Sequence, residues 1–410
     1  MSVSPTDKLN LAFIGFGQRA PWLIGMVLDT MPDVNITAVC DVYPDRAEGA
    51  AAMVESKRGV RPFSTCEYTD ILTRKDVDCI VVSSSWHTHI PICIDAMNAG
   101  IPVASEVGGA YDIQQCWDLV HTHEKTKVPV MLLENCCYGR EEMTILNMVK
   151  QGIFGELVHA EGGYQHDLRD EVALGHEIRH YRLDEYMHRN GEIYPTHELG
   201  PIAKWLDINR GNRMLTLTSM ASKARGLNAW INDKRGPDFE NASFHFTQGD
   251  VVTTMIKCAR GETIVLTHDT TLPRPYSRGG RLQGTKGIWS EDKHGVNIDG
   301  RTVSTTWAHN WDDLEKYYDE FEPQLWKDYR ANGVVAGHDG IDYLVFSALI
   351  HSLRNGLPMP IDVYDMASWM AVTALSEQSI AMGSQPVPVP DFTCGKWIRR
   401  GPDKSSAYSL

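Results

Sequence analysis

The sequence predicts an α/β chain: a parallel, doubly wound sheet first, then an α+β half with an open, mainly antiparallel sheet. Three observations predict it. Short apolar runs alternate with amphipathic helical stretches five times over roughly the first 130 residues, the pattern of strands joined by helical crossovers. That rhythm stops after Tyr138, and β-rich segments gather between positions 214 and 290. A length of 410 residues exceeds one ordinary domain, so the division is expected at 1–137 and 138–410.

The elements follow in order. Residues 9–16 are an apolar run of strand formers, and 21–31 reads as a helix with Trp22, Leu23, Met26 and Val27 on one face. Residues 34–40 alternate and end at Asp41. A second helix, 45–56, carries Ala47, Ala51 and Val54 as its apolar stripe. Residues 78–83 form a strand buried on both faces, 90–99 a helix stopped by Gly100, 103–106 a strand, 113–125 a helix and 128–133 a strand. Beyond Tyr138 come a helix at 140–151, a strand at 157–164, a polar histidine-rich stretch at 166–197 and a short helix at 199–206. Strands are expected at 214–220, 242–247, 251–258, 263–270 and 288–290, and helices at 344–355 and 363–382.

Acidic residues number 53 against 39 basic, a formal charge of −14, which argues against nucleic acid or anionic membrane as partner. No run approaches the ~20 apolar residues of a spanning helix. Residues 1–10 are polar and carry neither an apolar signal core nor twin arginines, so a cytoplasmic location is expected. The nine cysteines include no CxxC pair and read as reduced thiols. The histidines of 166–197 lack an HExxH-type spacing, so no metal is expected.

The first chemical signal is Gly15-Phe16-Gly17-Gln18-Arg19-Ala20, between a strand and a helix. Gly15 permits a tight turn, Gly17 lets backbone approach a pyrophosphate, and Ala20 allows close helix packing. Gln18 and Arg19 lie in the same turn and are expected to line the cofactor. Asp41, at the end of the next strand, suits the two hydroxyls of an adenosine ribose and favours NAD over NADP. This is the fingerprint of a Rossmann dinucleotide-binding domain. Two later strand ends carry loops on the ligand-binding side of such a sheet, 83–89 and 106–110. Trp86, His89, Glu106 and Val107 are the candidates there; a packed aromatic and a histidine without chemical role are the plain alternatives for the first two.

The GFGQRA turn, the Ser83-Ser84-Ser85-Trp86-His87-Thr88-His89 loop and the Glu106-Val107 loop together resemble the Gfo/Idh/MocA oxidoreductases. Ordinary members carry Glu-Lys-Pro at the second loop and an aspartate four residues before the catalytic histidine. Here Val107 and Ile193 occupy those places. Leu133-Glu134-Asn135, Gly163-Tyr164-Gln165-His166-Asp167-Leu168-Arg169, Arg189-Asn190-Gly191, Tyr194-Pro195-Thr196-His197 and Arg210-Gly211-Asn212-Arg213 resemble glycoside hydrolase family 109 instead. Glu198 stands where that family is expected to have glycine.

The resemblance implies an NAD-dependent glycosidase of the α-N-acetylgalactosaminidase type; a sugar dehydrogenase of the Gfo/Idh/MocA type is the alternative. Such a hydrolase oxidises C3 of the sugar transiently, which acidifies the C2 proton. Elimination at C1, water addition and re-reduction follow, with no net redox change. The resemblance implies His197 and Tyr164 as the acid/base pair, His197 at the C3 hydroxyl and Tyr164 at the C2 proton. An ordinary tyrosine is a weak base at neutral pH, so that role needs a cation, for which Arg182 is the candidate; a plain substrate contact is the alternative for Tyr164. Glu134, Arg182 and Tyr194 are implied sugar contacts, Tyr276 is a further one from its loop, and Asn135 is placed at the nicotinamide ribose. A small glycoside or sugar is the expected partner, and pairing through the second sheet's open face would give a dimer or tetramer.

Overall fold

A computed structural model describes residues 8–302, 310–333 and 337–410. The chain divides into two compact units. The first comprises Met1–Gly139, Gln324–Ala367 and Pro402–Leu410, the second Arg140–Pro323 and Ser368–Gly401. Two late segments thus join the first unit, which no local sequence signal announces.

The first unit is built on six parallel strands: β1 (Leu9–Ile14), β2 (Val34–Cys40), β3 (Phe63–Thr65), β4 (Cys79–Val82), β5 (Val103–Ser105) and β6 (Val130–Leu132). Their spatial order is β3-β2-β1-β4-β5-β6. The order reverses between β1 and β4, and at such a switch point the loops leaving the two strands part and open a crevice. The central strands read as unbroken apolar runs because helices cover both faces: all of Cys79–Val82 is buried. β3 is short and at the edge, so its apolar pattern is too brief to read. Helix Trp86–Asn98 starts four residues before the expected boundary, with Ser85 extended at its N-cap position. Trp86 and His89 are therefore helical residues. The late helix Ile341–Asn355 belongs to this unit, where Phe346 stacks on Phe13 of β1 with ring centroids 6.4 Å apart.

The second unit holds nine strands: β7 (Leu157–Gln165), β8 (Met214–Ala221), β9 (Val251–Cys258), β10 (Thr263–Asp269), β11 (Arg281–Gly284), β12 (Gly287–Ser290), β13 (Gly295–Ile298), β14 (Asp312–Asp313) and β15 (Val387–Pro388). Their order is β14-β13-β12-β11-β7-β10-β9-β8-β15, antiparallel except for the parallel pair β7 and β10. β9 shows the expected one-faced alternation: Val252, Thr254, Ile256 and Cys258 are buried and the residues between them face out.

Two expectations need correction here. Residues 242–247 are turn and irregular backbone, not a strand. The Asn228 amide donates to the carbonyls of Ala242 and Phe244, so a side chain satisfies this backbone in place of a ladder. The histidine-rich stretch, for which the sequence predicts no element, holds three short helices, Arg169–Ala173, Gly175–Ile178 and Arg182–His188. The next helix runs Thr196–Trp205 and so includes His197 in its first turn.

Candidate active site

In the first unit the site begins where β1 ends. Gly15 has φ +97°, and a Cβ there would stand 2.6 Å from Ser83 and Ser84 backbone atoms, so only glycine fits. A Cβ on Gly17 would meet nothing within 4 Å, which leaves the turn open above it. Helix Ala20–Thr30 follows with no side-chain cap and no acid in its first turn. Its leading N–H groups and partial positive charge are left for an anion. Asp41 is buried, its Oδ2 accepting from the Phe16 N–H at 2.7 Å and its Oδ1 from the Tyr43 N–H at 2.9 Å. Each oxygen keeps a further lone pair for a ribose hydroxyl. An open glycine cradle, an uncapped helix start and a fixed carboxylate fit a dinucleotide.

The remaining expected cofactor residues sort into two groups. Gln18 is exposed, and Val107 is buried. Trp86 is buried against Gly108: a Cβ on that glycine would stand 2.5 Å from the indole Cδ1. His89 is 1% exposed, with Nε2 2.9 Å from the Ser84 carbonyl and no partner for Nδ1 among the described residues. Burial lowers its pKa to about 4, so the ring is neutral. Arg19, Glu106 and Asn135, by contrast, come together. The two Arg19 amino nitrogens reach the Asp342 oxygens at 3.0 and 2.5 Å, and its Nε lies 3.7 Å from Glu106. Asn135 donates to Asp342 at 2.7 Å. Glu134, beside it, is fully buried and accepts from the Cys136 N–H at 3.1 Å. Sequence reasoning missed Asp342; an acid in the first turn of a helix was the available signal, but that helix was expected to start only at 344.

In the second unit the strand β7 and the helix Thr196–Trp205 bring the implied catalytic residues together. Tyr164 sits near the end of β7, its ring 4.4 Å from that of Tyr194 and 5.6 Å from that of His197 between centroids. The Tyr194 hydroxyl is 3.3 Å from His197 Nε2, and the Tyr164 hydroxyl 3.4 Å from His166 Nδ1. Arg182 stands over both phenols, 6.0 Å from the Tyr164 centroid and 5.4 Å from that of Tyr194, and pairs with Glu171 at 3.0 Å. Burial works against its charge, but the neighbouring phenols and Glu171 hold it firmly protonated. Tyr276, half exposed, joins edge-on through His166 at 5.2 Å.

Two histidines beside this cluster were not singled out as site residues. His166 has its pKa lowered by burial and by the Arg182 charge. His268 lies opposite Tyr164 in the β7–β10 register and is 1% exposed; burial, then Arg182, pushes it down to about 3. Glu198, next to His197, fills space left by two glycines: a Cβ on Gly162 would stand 2.3 Å from its Cγ, and one on Gly280 3.2 Å from its Oε1. The arrangement offers one imidazole and two phenols around a fixed cation, a set able to move protons at neighbouring hydroxyl and carbon centres.

Known proteins match both parts of the chain. Residues 9–133 match the model of the oxidoreductase family with an NAD-binding Rossmann fold, and residues 138–399 that of the glycosyl hydrolase 109 C-terminal domain. The chain belongs to glycoside hydrolase family 109. An alpha-N-acetylgalactosaminidase of Tannerella forsythia is 40% identical to it over 96% of this chain and 88% of its own length. A family 109 protein of Parabacteroides distasonis is also 40% identical, over 96% and 89%. Among solved structures, an NAD binding oxidoreductase from Klebsiella pneumoniae superposes with a TM-score of 0.69 at 15% identity, covering 93% of this chain and 99% of that one. A levoglucosan dehydrogenase in complex with NADH gives 0.68 at 16%, covering 94% and 100%. At such identities the likeness is one of fold. No helix among the described residues is long and apolar enough to cross a membrane.

Proposed function

We propose that this family 109 protein is an NAD-dependent glycoside hydrolase acting on α-N-acetylgalactosaminides by transient oxidation at C3. The observation that carries the reading is the convergence of Tyr164, Tyr194 and His197 around the partly buried Arg182. Gly15, Gly17, Arg19, Asp41, Glu106 and Asn135 would hold the dinucleotide. Bound NAD supplies a reversible hydride transfer that makes C3 a ketone and later restores it.

The protein's own groups handle the protons. His197 takes the C3 hydroxyl proton and returns it at the end; the Tyr194 hydroxyl on its Nε2 orients the ring. The ketone acidifies the C2 proton, which Tyr164 removes, with the Arg182 guanidinium standing 6.0 Å from its ring centroid. The C1 substituent leaves and takes up the proton released as water adds to the resulting double bond at C1; Tyr164, its proton exchanged with solvent in the meantime, reprotonates C2. Arg182, Tyr194 and Tyr276 hold the sugar. A second copy pairing through the open face of the nine-stranded sheet is part of the same reading.

The test uses purified protein and p-nitrophenyl α-N-acetylgalactosaminide. Cleavage without added NAD, no accumulation of NADH, and deuterium from solvent at C2 of the released sugar are expected. Steady NADH production from a free sugar, with no cleavage, overturns the reading in favour of a dehydrogenase. Light scattering that returns the monomer mass of 46.0 kDa removes the pairing.

A further inference from the structure

We propose that Asp342 is a positioning residue of the dinucleotide site, holding Arg19 and Asn135 so that the protein retains its cofactor between turnovers. The inference rests on the cofactor reading above and adds to it a residue from the late segment of the first unit.

An ionised carboxylate accepts about four hydrogen bonds. All four positions on Asp342 are taken. Oδ1 receives Arg19 Nη2 at 2.5 Å and Asn135 Nδ2 at 2.7 Å; Oδ2 receives Arg19 Nη1 at 3.0 Å and faces His338 Nδ1 at 2.9 Å. The residue is only 4% exposed. Burial would raise its pKa, but hydrogen bonds from His338 and Arg19, the Arg19 charge and the Asn135 amide outweigh that and hold the carboxyl ionised. A bidentate Arg–carboxylate pair fixes the plane of the guanidinium as well as its place.

That fixing matters because Arg19 has a second carboxylate within reach. Glu106 lies 3.7 Å from its Nε, farther than the Asp342 oxygens from the two amino nitrogens. Asp342 therefore wins the guanidinium and keeps it from closing onto the loop after β5. Asn135, from the loop after β6, is anchored by the same oxygen that receives Arg19. One side chain thus sets the spacing of loops leaving β1 and β6. A hydrolase that oxidises and re-reduces within each turnover gains from slow cofactor loss, and a rigid cradle lowers the ordering cost of holding it.

The test measures NAD binding by equilibrium dialysis on full-length protein stripped of dinucleotide, beside thermal stability without ligand and kcat at saturating NAD. Asp342→Asn keeps the shape and the oxygen facing Asn135 but loses the charge on Arg19. It should raise the Kd for NAD at least tenfold, leave kcat at saturating NAD within about threefold, and add less than twofold in an Arg19→Ala background. Asp342→Glu, which restores the charge, should recover most of the affinity. Unchanged Kd in D342N, even with a lowered Tm, overturns the proposal and leaves Asp342 as packing only. Should D342N not fold, the exposed His338→Ala carries the test alone: a threefold rise in Kd is expected, and an unchanged Kd overturns the proposal. Wild-type protein that binds no NAD overturns the cofactor reading itself, and this inference with it.

Discussion

The two candidate sites are built on opposite plans. In the first unit Asp342 has every acceptor position filled, at 2.5 to 3.0 Å, and Asp41 is tied to two backbone N–H groups. At the second unit's candidate site the Tyr194–His197 and Tyr164–His166 contacts are long, 3.3 and 3.4 Å, and aromatic rings do most of the spacing. Bonds that long are weak. A shell saturated in advance suits a resident molecule that must not leave. A set of phenols and imidazoles spaced by ring contacts suits a guest that changes charge as it reacts.

The sharpest way to break this contrast is at His197. Replacement by alanine should lower kcat by about 10³ while the dinucleotide copurifies as before, because general acid–base groups contribute about 10²–10⁴. Lost dinucleotide would show that the two sites are not separable. Next in size, Gly15→Ala should cost the protein its dinucleotide, with Kd for NAD raised about 100-fold or more. A Cβ cannot occupy 2.6 Å from the Ser83 backbone at φ +97°. Normal NAD binding by G15A would mean that the cradle is not where the turn places it.

Tyr164→Phe should reduce kcat by about 10² and abolish solvent deuterium at C2, since the base is gone but the ring is kept. Exchange that survives reduces Tyr164 to a substrate contact.

The smallest effect concerns stability. Burial raises the pKa of Glu192, two residues before Tyr194, from 4.5 to about 8, only partly offset by the Tyr194 N–H. The unfolded chain releases that proton near 4.5 and the folded one near 8, so the folded state binds more protons between them. Stability is then lost as pH rises through this window. E192Q removes the loss: its Tm advantage over wild type should grow from pH 5 to pH 8 by about 3 °C. A pH-independent difference would place an ionised Glu192 in the native structure at neutral pH.

Much of the fold was legible because its signals are local. The buried runs at β1 and β4 and the alternation of β9 needed no partner to be read. What escaped was short or tied to distant residues. β11, β13 and β14 have two to four residues each, below one readable period; of the short strands in that run, β12 alone was expected, at 288–290. Helix Gly226–Lys234 has only Gly226, Leu227 and Ile231 buried, too thin a stripe to stand out. The glycine turn and Asp41 were visible because their chemistry and spacing are fixed within one βαβ unit. Asp342 was not, since its partner Arg19 lies 323 residues away. Tyr164, Tyr194 and His197 came from motif resemblance; neither period nor spacing says that two strand-and-helix ends will bring their rings within 6 Å.

The fit of Glu198 over Gly162 has an evolutionary consequence. The two positions share one volume, so neither can be changed freely. Any lineage that acquires a methyl at 162 must first have shed the glutamate, and the reverse order passes through a clash beside His197. Recombining segments from relatives across positions 162 and 198 would therefore produce incompatible halves in one direction and an empty space in the other.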